Sequence, residues 1–270
     1  MRASGVTGCS MAEGSFTIVI LAAQREGRLD PLAAEAGVSH KCLVPIGGRP
    51  LLAHVLEAVA GLNGIESVRI AVEPGAEEAL SPLASASGLP VSFVAAADNI
   101  ADSVYAAAAG SEGPLVITTA DNVLLSPAAV RAVAALLSGG EDMVVAFARK
   151  EAVLSAHPQG QRRFYKFRDG EYSNCNLYGL SHHGLELAEI FREGGQFAKN
   201  PMRLARVFGF LNLLILRYGL ISLDAAMKRF GRRFGVRASA LVLADGAHAI
   251  DVDNQRTYAI AAELLDRRAA

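Results

Sequence analysis

The run Phe16–Leu21, FTIVIL, leaves this chain few architectures to choose from. It is almost wholly apolar, rich in β-branched side chains and has no polar face, so it fits a strand covered on both sides. Strands of that kind belong to parallel sheets packed between helices. A small-residue turn, Ala22-Ala23, follows, and then a polar loop with Gln24, Arg25, Gly27 and Arg28. Lys41 comes next in His-Lys-Cys-Leu-Val-Pro, and Gly47-Gly48-Arg49-Pro50 leads into a helical pattern. A strand that delivers backbone N–H groups and cations into a loop is how α/β folds hold a polyphosphate. Leu21, Ala22, Ala23 and Gln24 are therefore candidate nucleotide-binding residues. Arg28 and Lys41 are candidate catalytic cations that neutralise phosphate charge.

Downstream, strand and helix patterns alternate. Pro50 suits a first helical position, Leu51, Leu52, Val55, Leu56 and Val59 form a helical stripe, and Gly61 and Gly64 end it. Strands are expected at 68–72, 91–95, 115–119 and 143–147, with helices between them, the last opened by Ser126-Pro127. This alternation predicts a mainly parallel sheet with right-handed crossovers, a Rossmann-like α/β sandwich. Such sheets bind ligands beyond the carboxyl ends of their strands. Ala120 and Asp121 stand at one of those ends, directly after the fourth strand.

Beyond Arg149 the pattern weakens. Residues 164–167 and 176–180 read as strands around Asp169-Gly170, and 184–191 as a helix. Residues 200–230 read as two helices broken near Tyr218-Gly219, the second capped by Ser222. Strand 240–243, the segment Ile-Asp-Val-Asp-Asn at 250–254 and a final helix to about 267 complete the chain.

The formal charge of −1 argues against a generic nucleic-acid binder, which needs a strongly basic face. That neutrality hides an asymmetry: residues 191–237 hold ten cations against Glu193 and Asp224. Within them, 203–221 is apolar but interrupted by Asn212 and Arg217, shorter than the roughly 20 apolar residues of a membrane span. A packed helical hairpin is the simpler expectation. The alternative is peripheral contact of 203–237 with an anionic membrane. Cys9, Cys42 and Cys175 are odd in number and lack CxxC, which implies neither a disulfide framework nor a zinc site and fits a reducing cytoplasm. Residues 1–14 lack a signal-peptide core and are expected to be a disordered tail. Residues 15–270 are expected to form one domain, with 190–237 as a basic, apolar helical insertion.

The quoted residues carry a resemblance to the MobA-like nucleotidyltransferases, whose signature reads roughly LAAGxGxR, a variable gap, then KxLxPxxGxPLL. Leu21-Ala22-Ala23, Arg28, Lys41, Leu43, Pro45, Gly48, Pro50, Leu51 and Leu52 match it, while Gln24 and Glu26 replace two family glycines and Gly27 sits one position off. The resemblance implies a three-layer fold of the glycosyltransferase-A type. It also implies a Mg2+-dependent transfer joining an NTP (CTP or GTP) to a phosphorylated sugar or polyol, with release of pyrophosphate. It makes Asp121 a metal ligand. For the second ligand it favours Asp253 over Asp251, because family members commonly end in a DVDTPED-like segment whose Asp before the helix is the usual metal ligand.

Asp251 and Asp253 alternate along an extended segment and so should face opposite ways, one toward the site and the other toward the helix end. Asp102-Ser103-Val104 resembles the xDSV segment of methylerythritol-phosphate cytidylyltransferases and places Ser103 near the base; a helix N-cap is the competing reading. The resemblance implies that Lys166 and Asn176 fall on the acceptor side, for a phosphate and for hydroxyls respectively; an exposed hairpin charge and a strand-start Asn are the competing readings. The rival readings are a glycosyltransferase using a nucleotide sugar and a non-catalytic nucleotide-binding protein. His40, His54, His182 and His183 lack metal-ligand spacing and are expected to be structural or exposed.

Overall fold

The computed structural model describes residues 15–24, 29–192 and 218–269. The expected N-terminal tail, Arg28 and the first of the two basic helices lie outside the described residues.

β1 (Phe16–Leu21) lies at the centre, paired in parallel with β4 (Ile65–Val72) on one side and β6 (Leu115–Thr119) on the other. The sheet order is β5-β4-β1-β6-β9-β7-β10, where β5 is Val91–Ala95, β7 is Met143–Arg149, β9 is Gly170–Leu180 and β10 is Ala238–Leu243. β8 (Tyr165–Phe167) pairs with β9 off this path. β9 is antiparallel to β6, β7 and β8, and the other ladders of this sheet are parallel.

The alternation of β1 shows both faces in use. Phe16, Ile18 and Ile20 pack into one apolar cluster with Leu52 and Leu56 of α2 (Leu51–Val59), Leu80 of α3 (Glu77–Ala86) and Val130 of α5 (Pro127–Ser138). The C-terminal helix, Gln255–Ala269, joins the same layer through Ile260 and Leu264. Val19 faces the other way, into a cluster with Val104 of α4 (Ile100–Ala108), Leu187, and Leu223 and Phe230 of a basic helix, Leu223–Phe234. Each such side chain, wholly removed from water, contributes about 1.5–3 kcal/mol. This is the three-layer α/β sandwich expected.

Several elements differ from the sequence reading. The segment between Gln24 and Lys41, read as loop, contains α1 (Pro31–Ala36): Asp30 caps it by accepting from Leu32 N at 2.9 Å, and Gly37 closes it in the left-handed region. Six residues are too few to show helical periodicity. α6 (Lys150–Ala156) is also additional and starts without a side-chain cap. Pro50 precedes α2 rather than opening it, because it belongs to a small hairpin, β2 (Pro45–Ile46) and β3 (Arg49–Pro50). Its two-residue turn needs positive φ at both central positions, and Gly47 and Gly48 supply +54° and +77°. The basic helix, α7 (Leu223–Phe234), is capped by Ser222 as expected, its hydroxyl accepting from Ala225 N. The C-terminal helix is α8 (Gln255–Ala269). Among the described residues, no helix is long and apolar enough to cross a membrane.

Candidate active site

The parallel strands β1, β4 and β6 end together, and their last residues form one rim. Ala22 N donates to Ala71 O at 2.9 Å and Ala120 N donates to Leu21 O at 3.0 Å, so Leu21, Ala22 and Ala120 lie side by side. Gln24, which replaces a family glycine, ties this rim together. Its backbone N–H donates to Glu73 Oε2, its amide donates to Ser39 O and Glu73 Oε1, and its Oε1 accepts from Asp30 N. Ala23 is exposed beside it.

Lys41 rises from a single 3₁₀ turn, Lys41–Leu43, fixed by buried Cys42. Its Nζ lies 2.5 Å from Asp121 Oδ2 and 3.4 Å from Asp253 Oδ1. Burial works against the ammonium, but the charge and hydrogen bond of Asp121, and then the charges of Asp253 and Asp251, outweigh it and raise its pKa. Asp121 is held from its own strand, with Thr119 Oγ1 donating to its Oδ1 at 2.5 Å.

The chain returns to this point at its far end: Val252 N donates to Asp121 O at 3.1 Å. Asp121, Asp251 and Asp253 each offer a carboxylate oxygen, and the three oxygens lie within 4.8 Å of one another. The expectation that Asp251 and Asp253 face opposite ways is therefore overturned. The segment is not extended; Asp253 N bonds back to Asp251 O at 3.1 Å, and this tight turn brings both carboxylates to one side. Nor does Asp253 cap α8. Asn254 does so, its Oδ1 accepting from Arg256 N and Thr257 N, while Thr257 Oγ1 accepts from Asp253 N at 2.9 Å. Desolvation, then the charges of Asp121 and Asp253, push the Asp251 carboxyl to about 8, against the opposing pull of Lys41.

Asn176 joins the cluster by a route the sequence did not indicate. Its Nδ2 donates to Asp251 Oδ2 at 2.8 Å, which ties the amide to a carboxylate of the cluster. Ser103 is buried inside α4 rather than at its cap. Its Oγ accepts from Ala97 N at 3.0 Å and bonds to Asn99 O at 2.9 Å, while Asn99 caps the helix by accepting from Asp102 N. The Ser103 hydroxyl thus holds the 97–99 loop. Lys166 is exposed on β8, on a hairpin that reaches past the carboxyl end of β7, where Arg149 is opposite Tyr172.

His54 is buried and bonded to Ile46 O, as a structural histidine should be. Two other groups carry signals that pattern reading did not weigh: buried His248 bonds Ser126 Oγ at 2.8 Å, and Gly246 runs against the backbone of α6.

A cleft of this construction, at the carboxyl edge of a mainly parallel sheet, with one ammonium facing three carboxylates, belongs to a nucleotidyltransferase. The chain belongs to the MobA-like NTP transferase domain family, which it matches over residues 18–207. That match includes Lys41, Asp121 and Asn176 but stops before Asp251 and Asp253. No curated protein matches the chain. Among solved structures, a hypothetical transferase from Thermus thermophilus is similar at 29% identity and a TM-score of 0.70, covering 91% of this chain and 99% of that one. A CMP:2-keto-3-deoxy-manno-octonic acid synthetase in complex with CTP shares the fold at 15% identity and a TM-score of 0.61, covering 94% and 100%. So does 4-diphosphocytidyl-2C-methyl-D-erythritol synthase from Anaerococcus prevotii, at 12% identity and a TM-score of 0.59, covering 94% and 97%.

Proposed function

We propose that this nucleotidyltransferase joins CTP or GTP to a small phosphorylated sugar or polyol, with Mg2+ as its metal. The observation that carries this reading is the convergence of Lys41, Asp121, Asp251 and Asp253 on one point of the strand rim. The donor set consists of hard carboxylate oxygens, which suit Mg2+. When bound, the metal neutralises triphosphate charge and polarises the α-phosphate.

The protein's own part is positioning and electrostatics. Lys41 and Arg28 hold phosphate oxygens, and the backbone of Leu21 to Gln24 together with Ala120 flanks the nucleoside. Lys166 receives the acceptor's phosphate. An oxygen of that phosphate attacks the α-phosphorus, the bond to the β-phosphate oxygen breaks, and pyrophosphate leaves. Asp121 and Asp253 serve as metal ligands, with Asp251 beside them. Ser103 acts through the 97–99 loop that it holds. CTP is preferred weakly over GTP, on the likeness of Asp102-Ser103-Val104 to cytidylyltransferases.

The test is pyrophosphate release with each of the four NTPs against a panel of phospho-sugars and phospho-polyols. Turnover with one pair, lost in a folded Asp121→Ala variant, is the expected result. A folded and fully active Asp121→Ala would sink the assignment.

A peripheral contact with anionic membrane is proposed for the basic segment. Arg229 and Arg232 project from α7, and Tyr218 and Leu220 are exposed just before it. Cations beside exposed apolar side chains are suited to an anionic bilayer surface. Co-sedimentation with phosphatidylglycerol vesicles, weakened in Arg229→Glu/Arg232→Glu, is expected. No co-sedimentation of the unmodified protein removes this part and leaves the reaction untouched.

A further inference from the structure

β9 carries an irregularity at the point nearest the carboxylates. Val145 is paired with Tyr178 but Phe147 with Asn174, so residues 175–177 bulge opposite Ala146. Within this bulge Asn176 has φ +47°, and it is the one non-glycine with positive φ among the described residues. The left-handed region is unfavourable for a residue with a Cβ, and it persists where the surroundings impose it.

The surroundings here are specific. Asn122, buried immediately after Asp121, donates from Nδ2 to Cys175 O at 3.0 Å and to Thr118 Oγ1 at 3.1 Å. Thr118, also buried, donates onward from Oγ1 to Asn176 O at 2.9 Å. The carbonyls on both sides of the Asn176 Cα are thereby pinned to the end of β6. From there the Asn176 side chain runs to Asp251, its Nδ2 donating to Oδ2 at 2.8 Å.

A second cost sits in the same wiring. Asn122 Oδ1 is buried without a hydrogen-bond partner. Buried polar atoms are nearly always paired, and exceptions call for an explanation. An orphaned carbonyl and a left-handed asparagine, joined by one hydrogen-bond chain that ends on a carboxylate of the cleft, share a single explanation.

We infer that Thr118 and Asn122 clamp the β9 bulge so that Asn176 acts as a positioning residue for the Asp251 carboxylate in its contact with the divalent metal. This rests on the metal-site reading above and deepens it. Groups that orient a metal-facing carboxylate affect metal affinity without touching the metal, by about 10–100-fold when removed.

Asn176→Gly is the informative variant, because glycine accepts φ +47° and lacks the amide. Mn2+ uptake by the full chain is followed by the EPR signal of free Mn2+, alone and with CTP or GTP present, alongside thermal melting. Asn176→Gly is expected to bind Mn2+ about tenfold more weakly while melting no lower than the parent. Thr118→Val is expected to weaken Mn2+ in the same direction, and Thr118→Ser to restore parental affinity. A merely structural role would move melting and leave Mn2+ affinity alone.

Parental Mn2+ affinity in Asn176→Gly overturns the inference. Should that variant not fold, parental affinity in Thr118→Val overturns it instead. If the parent takes up no Mn2+ under any of these conditions, the metal reading itself fails and the inference goes with it.

Discussion

Lys41 and Asp121 stand 80 positions apart in the chain, yet their charged ends are 2.5 Å apart in the cleft. The Lys41 ammonium also pairs with Asp253, at 3.4 Å from its Oδ1. Replacing it with an isostere that carries no charge, Lys41→Met, should lower nucleotidyl transfer by about 10²–10³-fold, the range for losing one preorganised charge-stabilising donor. NTP affinity, read by calorimetry, should weaken in the same variant. Parental turnover in Lys41→Met would remove this residue from the proposed machinery.

The crowding of carboxylates also makes the metal-free protein sensitive to pH. Asp251 is raised in the folded state, from an ordinary value of 3.8 to about 8, so the folded chain binds the extra proton across that window. Its contribution to stability is full below the ordinary value and is lost as pH rises toward 8. In Asp251→Asn, which keeps an acceptor for Asn176, that loss is absent. Melting of the two proteins in EDTA should therefore diverge with rising pH, the variant becoming the more stable. Parallel melting curves from pH 5 to pH 8 would contradict the assigned shift.

Neither described cysteine should behave as a nucleophile. Cys42 is buried, and desolvation together with Glu73 pushes its thiol up to about 12. Burial, then Asp251 and Asp245, raises Cys175 as well. The thiolate is the reactive form, so a Cys9→Ser variant should not react with DTNB at pH 8 until unfolded.

A backbone contact distant from the rim should matter as much as any side chain in it. A Cβ at Gly246 would meet Val153 N and Ala152 C at 2.2 Å, inside the backbone of α6. Neither can give way as a flexible side chain would. Gly246→Ala should therefore destabilise the protein by at least about 1–3 kcal/mol, the usual cost of overpacking. Because 246–249 leads directly into Asp251, activity should fall with it; urea unfolding would quantify the first effect and pyrophosphate release the second.

Much of the fold was legible because its central strands carry their own signature. Phe16–Leu21, Val91–Ala95 and Leu115–Thr119 are short, mainly apolar runs rich in β-branched residues between turns, and the structure places strands over those residues. The position of β9 was not legible. An antiparallel strand between β6 and β7 is set by long-range pairing, and nothing in Gly170–Leu180 states its neighbours or its bulge. At the site, Lys41, Asp121 and Asp253 were readable from spacing and resemblance. Their joining by Asp251 was not, since period-two alternation assumes an extended backbone and the bond from Asp253 N to Asp251 O bends it. Asn176 was singled out for its chemistry, but its direction depends on Thr118 and Asn122, buried partners on another strand. For Ser103 the sequence left two readings, a place near the base and a helix N-cap; the cap is Asn99, and the Ser103 hydroxyl reaches back to the preceding loop.

The hitch between Val252 N and Asp121 O has a temporal side. On the ribosome, every strand of the main sheet is made before the last two carboxylates emerge, since Asp251 and Asp253 follow β10. Asp121 thus belongs to the sheet's own sequence, while the two later carboxylates sit on a segment that must dock against it. The proposed metal site is complete only once that docking has occurred.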